Sequence, residues 1–415
     1  MESADILIKN ANELVTVRGI NQPRTKKQMN NLSILKDGSI AIKDGKIIDV
    51  GKNLRYKAET IIDSKGKTIL PGFVDPHTHV VFSGSREFEL EMKLQGKSYM
   101  DILKAGGGIF YTVNKTREAT ENSLIEQSKE RLKNMLEHGT TTCEAKTGYG
   151  LEAKTELKLL NIQKKLDKIH DIDIVSTFLG AHAVPKNLNS DDYVEQIINE
   201  MLPNIGDLAT FCDVFCEKGV FTVKQSKRIL EEAKKYDLIP KLHADEIVDT
   251  GGALLAAQVE AISADHLLMS NDMGLKKMVE KNVIGVLLPG TPFSLMQQNY
   301  ARAREMIDMN LPIALATDLN PNCWIENMQF IIQLACLNMK MTPAEAITAA
   351  TFNAACAIGK NKDIGSLEIG KKADIIIMNC PSYNSITYHF GINLVKSVIK
   401  NGKIVVNHSS KLTNS

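Results

Sequence analysis

Apolar and polar residues alternate in short bursts over the first seventy positions. The runs at 4–17 (ADILIKNANELVTV), 38–51 (GSIAIKDGKIIDVG) and 67–72 (KTILPG) are rich in Ile and Val, with Gly or Asn at their turns. A period of two carried by β-branched residues predicts strands with one buried face. Asp44-Gly45, between two apolar runs, predicts a tight hairpin. The same texture returns at 365–379 (GSLEIGKKADIIIMN) and 395–407 (VKSVIKNGKIVVN), with a second hairpin at Asn401-Gly402. Two β-rich ends around a large insertion predict one composite β-domain, residues 1–70 plus 365–415.

Residues 71–364 change rhythm. Strand-like runs at 72–82, 140–150, 172–185, 209–219, 239–247, 261–270, 283–291 and 312–321 are separated by segments of helical period. The clearest of these helices are expected at 121–139, 153–170 and 222–237. Eight strand–helix units in order predict an α/β fold, a (β/α)8 TIM barrel. A doubly wound open sheet is the alternative, but its first strand runs into a Gly-rich phosphate turn. None is present there. AGGGIF (105–110) follows no strand and reads as a flexible loop.

Composition narrows the partners. A barrel of ~250 residues plus a smaller module accounts for the 415 residues, and 43% apolar content supplies a large core. Fifty basic residues balance 49 acidic ones, for a net charge of +1. That gives no electrostatic reason to expect nucleic acid or an anionic membrane. The first residues, MESADILIKN, do not read as a signal peptide. No run approaches the ~20 apolar residues of a membrane span. The seven cysteines are scattered and read as reduced thiols in a cytoplasmic protein.

Chemistry in such a barrel gathers at the carboxyl ends of the strands. There the sequence places His77 and His79 on strand one, Lys146 and Tyr149 on two, and His182 on three. Glu217 follows strand four, His243 and Glu246 strand five, His266 strand six, and Asp318 and Asn320 strand eight. Of the nine histidines, these five sit at strand ends. An isolated strand-end histidine is more often a hydrogen-bonded core residue than a ligand. His-x-His is stronger, because alternate strand residues share a face. With His243 and Asp318 on later strands, His77 and His79 make a donor set suited to a divalent metal, zinc or iron. An open coordination position on such an ion brings bound water to a pKa of roughly 7 and supplies hydroxide.

These residues resemble the amidohydrolase superfamily of metal-dependent hydrolases. The motifs are PGFVDPHTH, a His on each of strands five and six, and TD closing strand eight. The resemblance implies a β-sandwich built from both chain ends beside the barrel. HTHVVFSGSREFE, EAKTGYGL, FLGAHAVP, HADE, ADHL, LLPGTPF and ATDLNP narrow it further. They imply hydrolysis of the cyclic amide of 4-imidazolone-5-propanoate to N-formimidoyl-L-glutamate, a step of histidine degradation. The resemblance places one metal ion on His77, His79, His243 and Asp318. It places substrate contacts at Arg86, Tyr149, His182, Glu246, His266 and Asn320. Its catalytic set is Glu246, His266 and Asp318. His266 would polarise the carbonyl, and Asp318 or Glu246 would carry the proton. A homodimer is suggested by resemblance alone.

Several readings stay open. Arg86 can clamp a carboxylate bidentately, or pair with Glu87 or Glu89. Binuclear relatives bridge their ions with a carboxylated lysine ending strand four. Lys146 ends strand two and Lys218 follows strand four, which favours one ion. After DLNP the family usually has Gly and then Ser or Thr at positions that contact substrate. Here they are Asn322 and Cys323, and a thiol is the weaker hydrogen-bonder. The alternatives are another cyclic-amide hydrolase or a nucleobase-type deaminase of the superfamily, and a barrel that has lost its metal and its activity.

Overall fold

The computed structural model describes residues 2–97 and 99–408. Both ends of the chain build two β-sheets. One orders its strands Lys46–Lys52, Gly38–Lys43, Ser3–Ala11 and Lys57–Asp63. The other orders Lys403–Asn407, Val395–Lys400, Ile375–Met378, Thr68–Pro71, Glu13–Val15 and Ile34–Leu35. The two ends meet where Ile375–Met378 pairs antiparallel with Thr68–Pro71, Ile376 opposite Leu70. Asp44-Gly45 and Asn401-Gly402 turn with φ of 51°, 75°, 47° and 74°. Both central residues are left-handed, as a two-residue hairpin requires.

The period-two pattern has a physical consequence. Ile69, Ile375, Ile377 and Ile399 pack against Ile6, Ile8, Ile40 and Ile42 of the facing sheet. Their neighbours Leu70, Ile376, Met378 and Val398 join the main core of the barrel. Successive side chains of a strand point to opposite faces. The six-stranded sheet is thus apolar on both faces, half of a sandwich on one side and a floor for the barrel on the other.

The barrel holds eight parallel strands in sequential order: Phe73–Asp75, Thr140–Lys146, Asp173–Ala181, Phe211–Cys216, Ile239–Ala244, Ser263–His266, Ile284–Leu287 and Ile313–Leu315. It closes between the first and last. The Asp318 N–H donates to the His77 carbonyl (3.1 Å) and the His79 N–H to the Leu319 carbonyl (2.8 Å). Deeper down, Asp75 accepts the Thr317 N–H (3.1 Å) and hydroxyl (2.6 Å).

Two expectations need correction. Strand one is far shorter than 72–82, because Pro76 lacks an N–H and interrupts the ladder, which resumes only as an isolated bridge between Thr78 and Leu319. The loop expected at 105–110 is in part helical. Gly108, at φ 80°, opens a helix over Ile109–Glu118, so Ile109 and Phe110 are its first turn. That helix and those at Glu87–Leu94 and Tyr99–Lys104 fill the first connection before Glu121–Glu137. No described helix is long and apolar enough to cross a membrane.

Burial on both faces of Ile375–Met378 makes a prediction. Ile376→Ala and Ile377→Ala should each destabilise the protein by about 2–5 kcal/mol in chemical denaturation. A change within about 0.5 kcal/mol, as for an exposed site, at either position would contradict the two-faced sheet.

Candidate metal centre and active site

The ends of strands one, five and eight bring four donors together. Pro76 turns the chain out of the sheet, and the two closure bonds fix His77 and His79 against Asp318 and Leu319. His77, His79 and His243 offer ring nitrogens all within 4.8 Å of one another. Asp318 Oδ1 lies 3.5 Å from His77 Nε2 and 3.8 Å from His79 Nε2. All four side chains are buried. Contacts at Nδ1 aim two of the rings. His77 Nδ1 hydrogen-bonds Asp265 Oδ2 at 2.7 Å, and His243 Nδ1 lies 3.0 Å from Asp213 Oδ2 as a close ion-pair contact outside hydrogen-bond geometry. These leave each Nε2 turned inward, the carboxylate–histidine arrangement of metal sites. His77 Nε2 is buried with no hydrogen-bond partner among the described residues. Three imidazoles, one carboxylate and an orphaned buried nitrogen fit a divalent cation.

His77 and His79 are poised as neutral ligands. Burial holds His77 and His79 well below the ordinary imidazole range, helped by neighbouring cationic groups. For His243 burial also acts downward, but the Asp213 carboxylate outweighs it and raises the pKa.

Beneath the donors lies a layer of buried ions. Lys146 Nζ reaches Asp213 Oδ2 (2.7 Å), Glu144 Oε1 (2.8 Å) and Asp265 Oδ2 (3.3 Å). Lys241 Nζ reaches Glu144 Oε2 (2.7 Å) and the Pro76 carbonyl (3.1 Å). Ser263 donates to Asp265 Oδ1 at 2.7 Å, and Thr177 donates to Glu144. Two ammonium groups face three carboxylates, so the layer keeps one net negative charge under a site for a cation. Burial pushes Lys146 down, yet the three carboxylates outweigh it and raise its pKa. Sequence reasoning missed Glu144, Asp213, Lys241 and Asp265. A signal existed: each is a charged residue inside an expected barrel strand rather than beyond its end, in CEAK, CDVFC, PKLHA and SADH.

His79, His243 and Asp318 open into a cavity of about 130 Å³. Of the expected substrate residues, Arg86, Tyr149, His182, Glu246, His266, Asn320 and Asn322 all line it. Tyr149 sits on a loop gathered by Glu156, whose carboxylate accepts the N–H groups of Gly148 (3.0 Å), Gly150 (2.7 Å) and Leu151 (2.8 Å). His182 stacks on His79, ring centroids 4.9 Å apart. Its Nδ1 is 3.1 Å from the Gly148 carbonyl, which makes Nδ1 the donor and leaves Nε2 an acceptor. Asp245 ties down the segment after Glu246 by accepting from Gly252 N–H (2.9 Å), Ala253 N–H (3.0 Å) and the Ser270 hydroxyl (2.7 Å). Burial pushes Glu246 up to about 7. Burial takes His266 down to about 4 and His182 to about 3, so both are neutral at pH 7.

Other residues depart from expectation. Cys323 is not brought to the cavity. Its buried thiol lies 3.6 Å from the Thr317 carbonyl, and its N–H donates to Asn320 Oδ1 at 3.0 Å. Asn320 also accepts the Asn322 N–H (2.7 Å) and donates to the Asp318 carbonyl (2.8 Å), so its amide is spent largely on its own turn. Glu217 instead accepts the Ile247 N–H at 2.8 Å. Lys218 is exposed. Thr291, not singled out from the sequence, donates to Asp318 Oδ2 at 2.6 Å and leaves Oδ1 facing the histidines.

Arg86 takes the paired reading of its sequence context. Its Nε and Nη2 bind Glu89 at 2.7 and 2.8 Å. Glu89 is itself fixed by the Gly108 N–H at 2.7 Å. Nη1 makes no hydrogen bond among the described residues, and Arg86 lines the cavity. A larger cavity of about 720 Å³ shares Arg86 and Asn322 with the smaller one. It holds none of the four metal donors and reads as a vestibule, with Leu90, Phe293 and Trp324 in its wall.

A barrel of this topology with this donor set defines a metal-dependent hydrolase, and the chain belongs to the amidohydrolase family, whose model matches residues 68–405. It is 52% identical to the imidazolonepropionase of Alkaliphilus metalliredigens (strain QYMF), over 97% of this chain and 98% of that protein. It is 51% identical to that of Geobacillus kaustophilus (strain HTA426), with the same coverage of each chain. Within the amidohydrolases it therefore falls in the imidazolonepropionase family. Its fold resembles that of a zinc-bound adenosine deaminase from Xanthomonas campestris, with a TM-score of 0.71 at 18% identity, covering 98% of this chain and 94% of that one.

Proposed function

We propose that this chain hydrolyses the cyclic amide of 4-imidazolone-5-propanoate to N-formimidoyl-L-glutamate. The observation that carries the reading is one cavity lined by His79, His243 and Asp318, with His77 beside them and Arg86 in the wall. A nucleobase has no tail for that guanidinium; a propanoate does.

His77, His79, His243 and Asp318 would hold a single zinc or iron ion. When bound, it would polarise the ring carbonyl and bring water to a pKa of roughly 7. Thr291 occupies Asp318 Oδ2 and leaves Oδ1 for the ion. That favours Asp318 as ligand and Glu246 as proton carrier. Glu246 takes a proton from the attacking water and returns it to the ring nitrogen as the C–N bond breaks. Neutral His266 donates a hydrogen bond to the oxygen that gains charge. His182 Nε2 accepts from the ring, and Arg86 binds the propanoate. Asn322 and Tyr149 complete the wall. One ion is favoured because the Lys146 ammonium is surrounded by three carboxylates and Lys218 is exposed, so neither is placed to bridge two.

The division into a composite domain (1–70 plus 365–415) and a barrel (71–364) belongs to the same proposal. So do the cytoplasmic setting, supported by seven unpaired cysteines, and the homodimer.

Three outcomes are expected. Metal-loaded protein given imidazolone propanoate should release formimidoyl-glutamate; none formed would sink the assignment while leaving the family intact. Glu246 must be ionised to accept a proton, so kcat/KM should rise with pH through about 7. Glu246→Gln should abolish that limb and lower kcat by about 10²–10⁴; an unchanged limb would contradict the role. Arg86→Ala should raise KM by about 10- to 100-fold, the worth of a charged hydrogen bond. An imidazolone lacking the tail should turn over equally with both proteins. An unchanged KM for the tailed substrate would remove the tail clamp.

A further inference from the structure

The ion layer under the cavity shares atoms with the metal centre. Lys146 Nζ touches Asp213 Oδ2 and Asp265 Oδ2. Those same two oxygens face His243 Nδ1 and His77 Nδ1. A single ammonium thus sits against both oxygens that aim two of the three histidines. Its third partner is Glu144 Oε1, which also accepts from the Thr177 hydroxyl, while Lys241 holds the other oxygen, Oε2. An ammonium has three N–H donors and no acceptor, and here three carboxylates surround it. It cannot shift toward one carboxylate without leaving another.

We propose that Lys146 is a positioning residue that couples His77 to His243, so that the two donors are aimed as one unit. The claim deepens the proposed function and rests on its reading that these histidines hold a metal. Two effects of Lys146 oppose each other. Its positive charge repels a cation bound above it. Its contacts hold the carboxylates that hold the imidazoles, and such outer contacts are worth about 10- to 100-fold in metal affinity. Removing it would tighten binding if charge alone mattered and weaken binding if positioning dominates. The shared oxygens decide for positioning.

The test is zinc affinity by competition with a chelator, on the full chain. Lys146→Met should lower affinity by about 10- to 100-fold and alter the visible bands of the cobalt-loaded protein. Unchanged or tighter zinc binding overturns the proposal. Should Lys146→Met fail to fold, Asp213→Asn, Asp265→Asn and the double variant decide it. Coupled through one lysine, each single change disturbs both histidines, so the double variant should lose far less than the product of the single losses. A loss equal to that product within about twofold marks independent sites and overturns the coupling. Wild-type protein that takes up no zinc would instead overturn the metal reading, so the two failures are distinct.

Discussion

The structure depends on five charges that have no access to water. Glu144, Lys146, Asp213, Lys241 and Asp265 are all fully buried inside the barrel. Burying a charge is costly unless it is paired, and breaking one buried pair costs about 3–5 kcal/mol. The five therefore have to satisfy one another, and one arrangement does so. That arrangement also dictates where Asp213 and Asp265 present their oxygens, and hence how His243 and His77 point. The net negative charge below the imidazoles is a consequence of the same constraint. The barrel's apolar strands supply the stiffness, and the ions set the aim.

A similar logic shapes the wall of the cavity. Arg86 alone would be a long, mobile side chain, losing entropy when it binds. Glu89 fixes it through two short bonds and is fixed in turn by Gly108. The helices of the first connection thus build a rigid cation from sequence that carries little apolar periodicity. Glu156 does the same for the Tyr149 loop and Asp245 for the segment after Glu246. In each case a buried carboxylate gathers backbone N–H groups that irregular chain would otherwise leave unpaired.

Much of this was legible in the sequence, for physical reasons. Strand–helix alternation is local, so the eight units could be read in order. Asp44-Gly45 and Asn401-Gly402 announce their turns because few other residues tolerate them. His77 and His79 stood out by spacing, and all of the expected cavity residues except Cys323 do line it. What was hidden depends on contacts between distant residues. Asp75 and Thr317 meet across 242 positions, and nothing local marks the Thr291–Asp318 bond. The ion layer was visible only as stray charges within expected barrel strands. Cys323 was misplaced because its thiol follows the Asn320 turn, whose hydrogen bonds no single-residue pattern encodes.

X-ray absorption at the metal edge of the purified protein, with metal content measured on the same sample, tests the central claim most directly. Four donors aimed by one buried ion layer should bind one zinc or iron per chain, with three imidazoles and a carboxylate in its coordination shell. Two ions per chain, or one ion with fewer than two imidazoles, would contradict it.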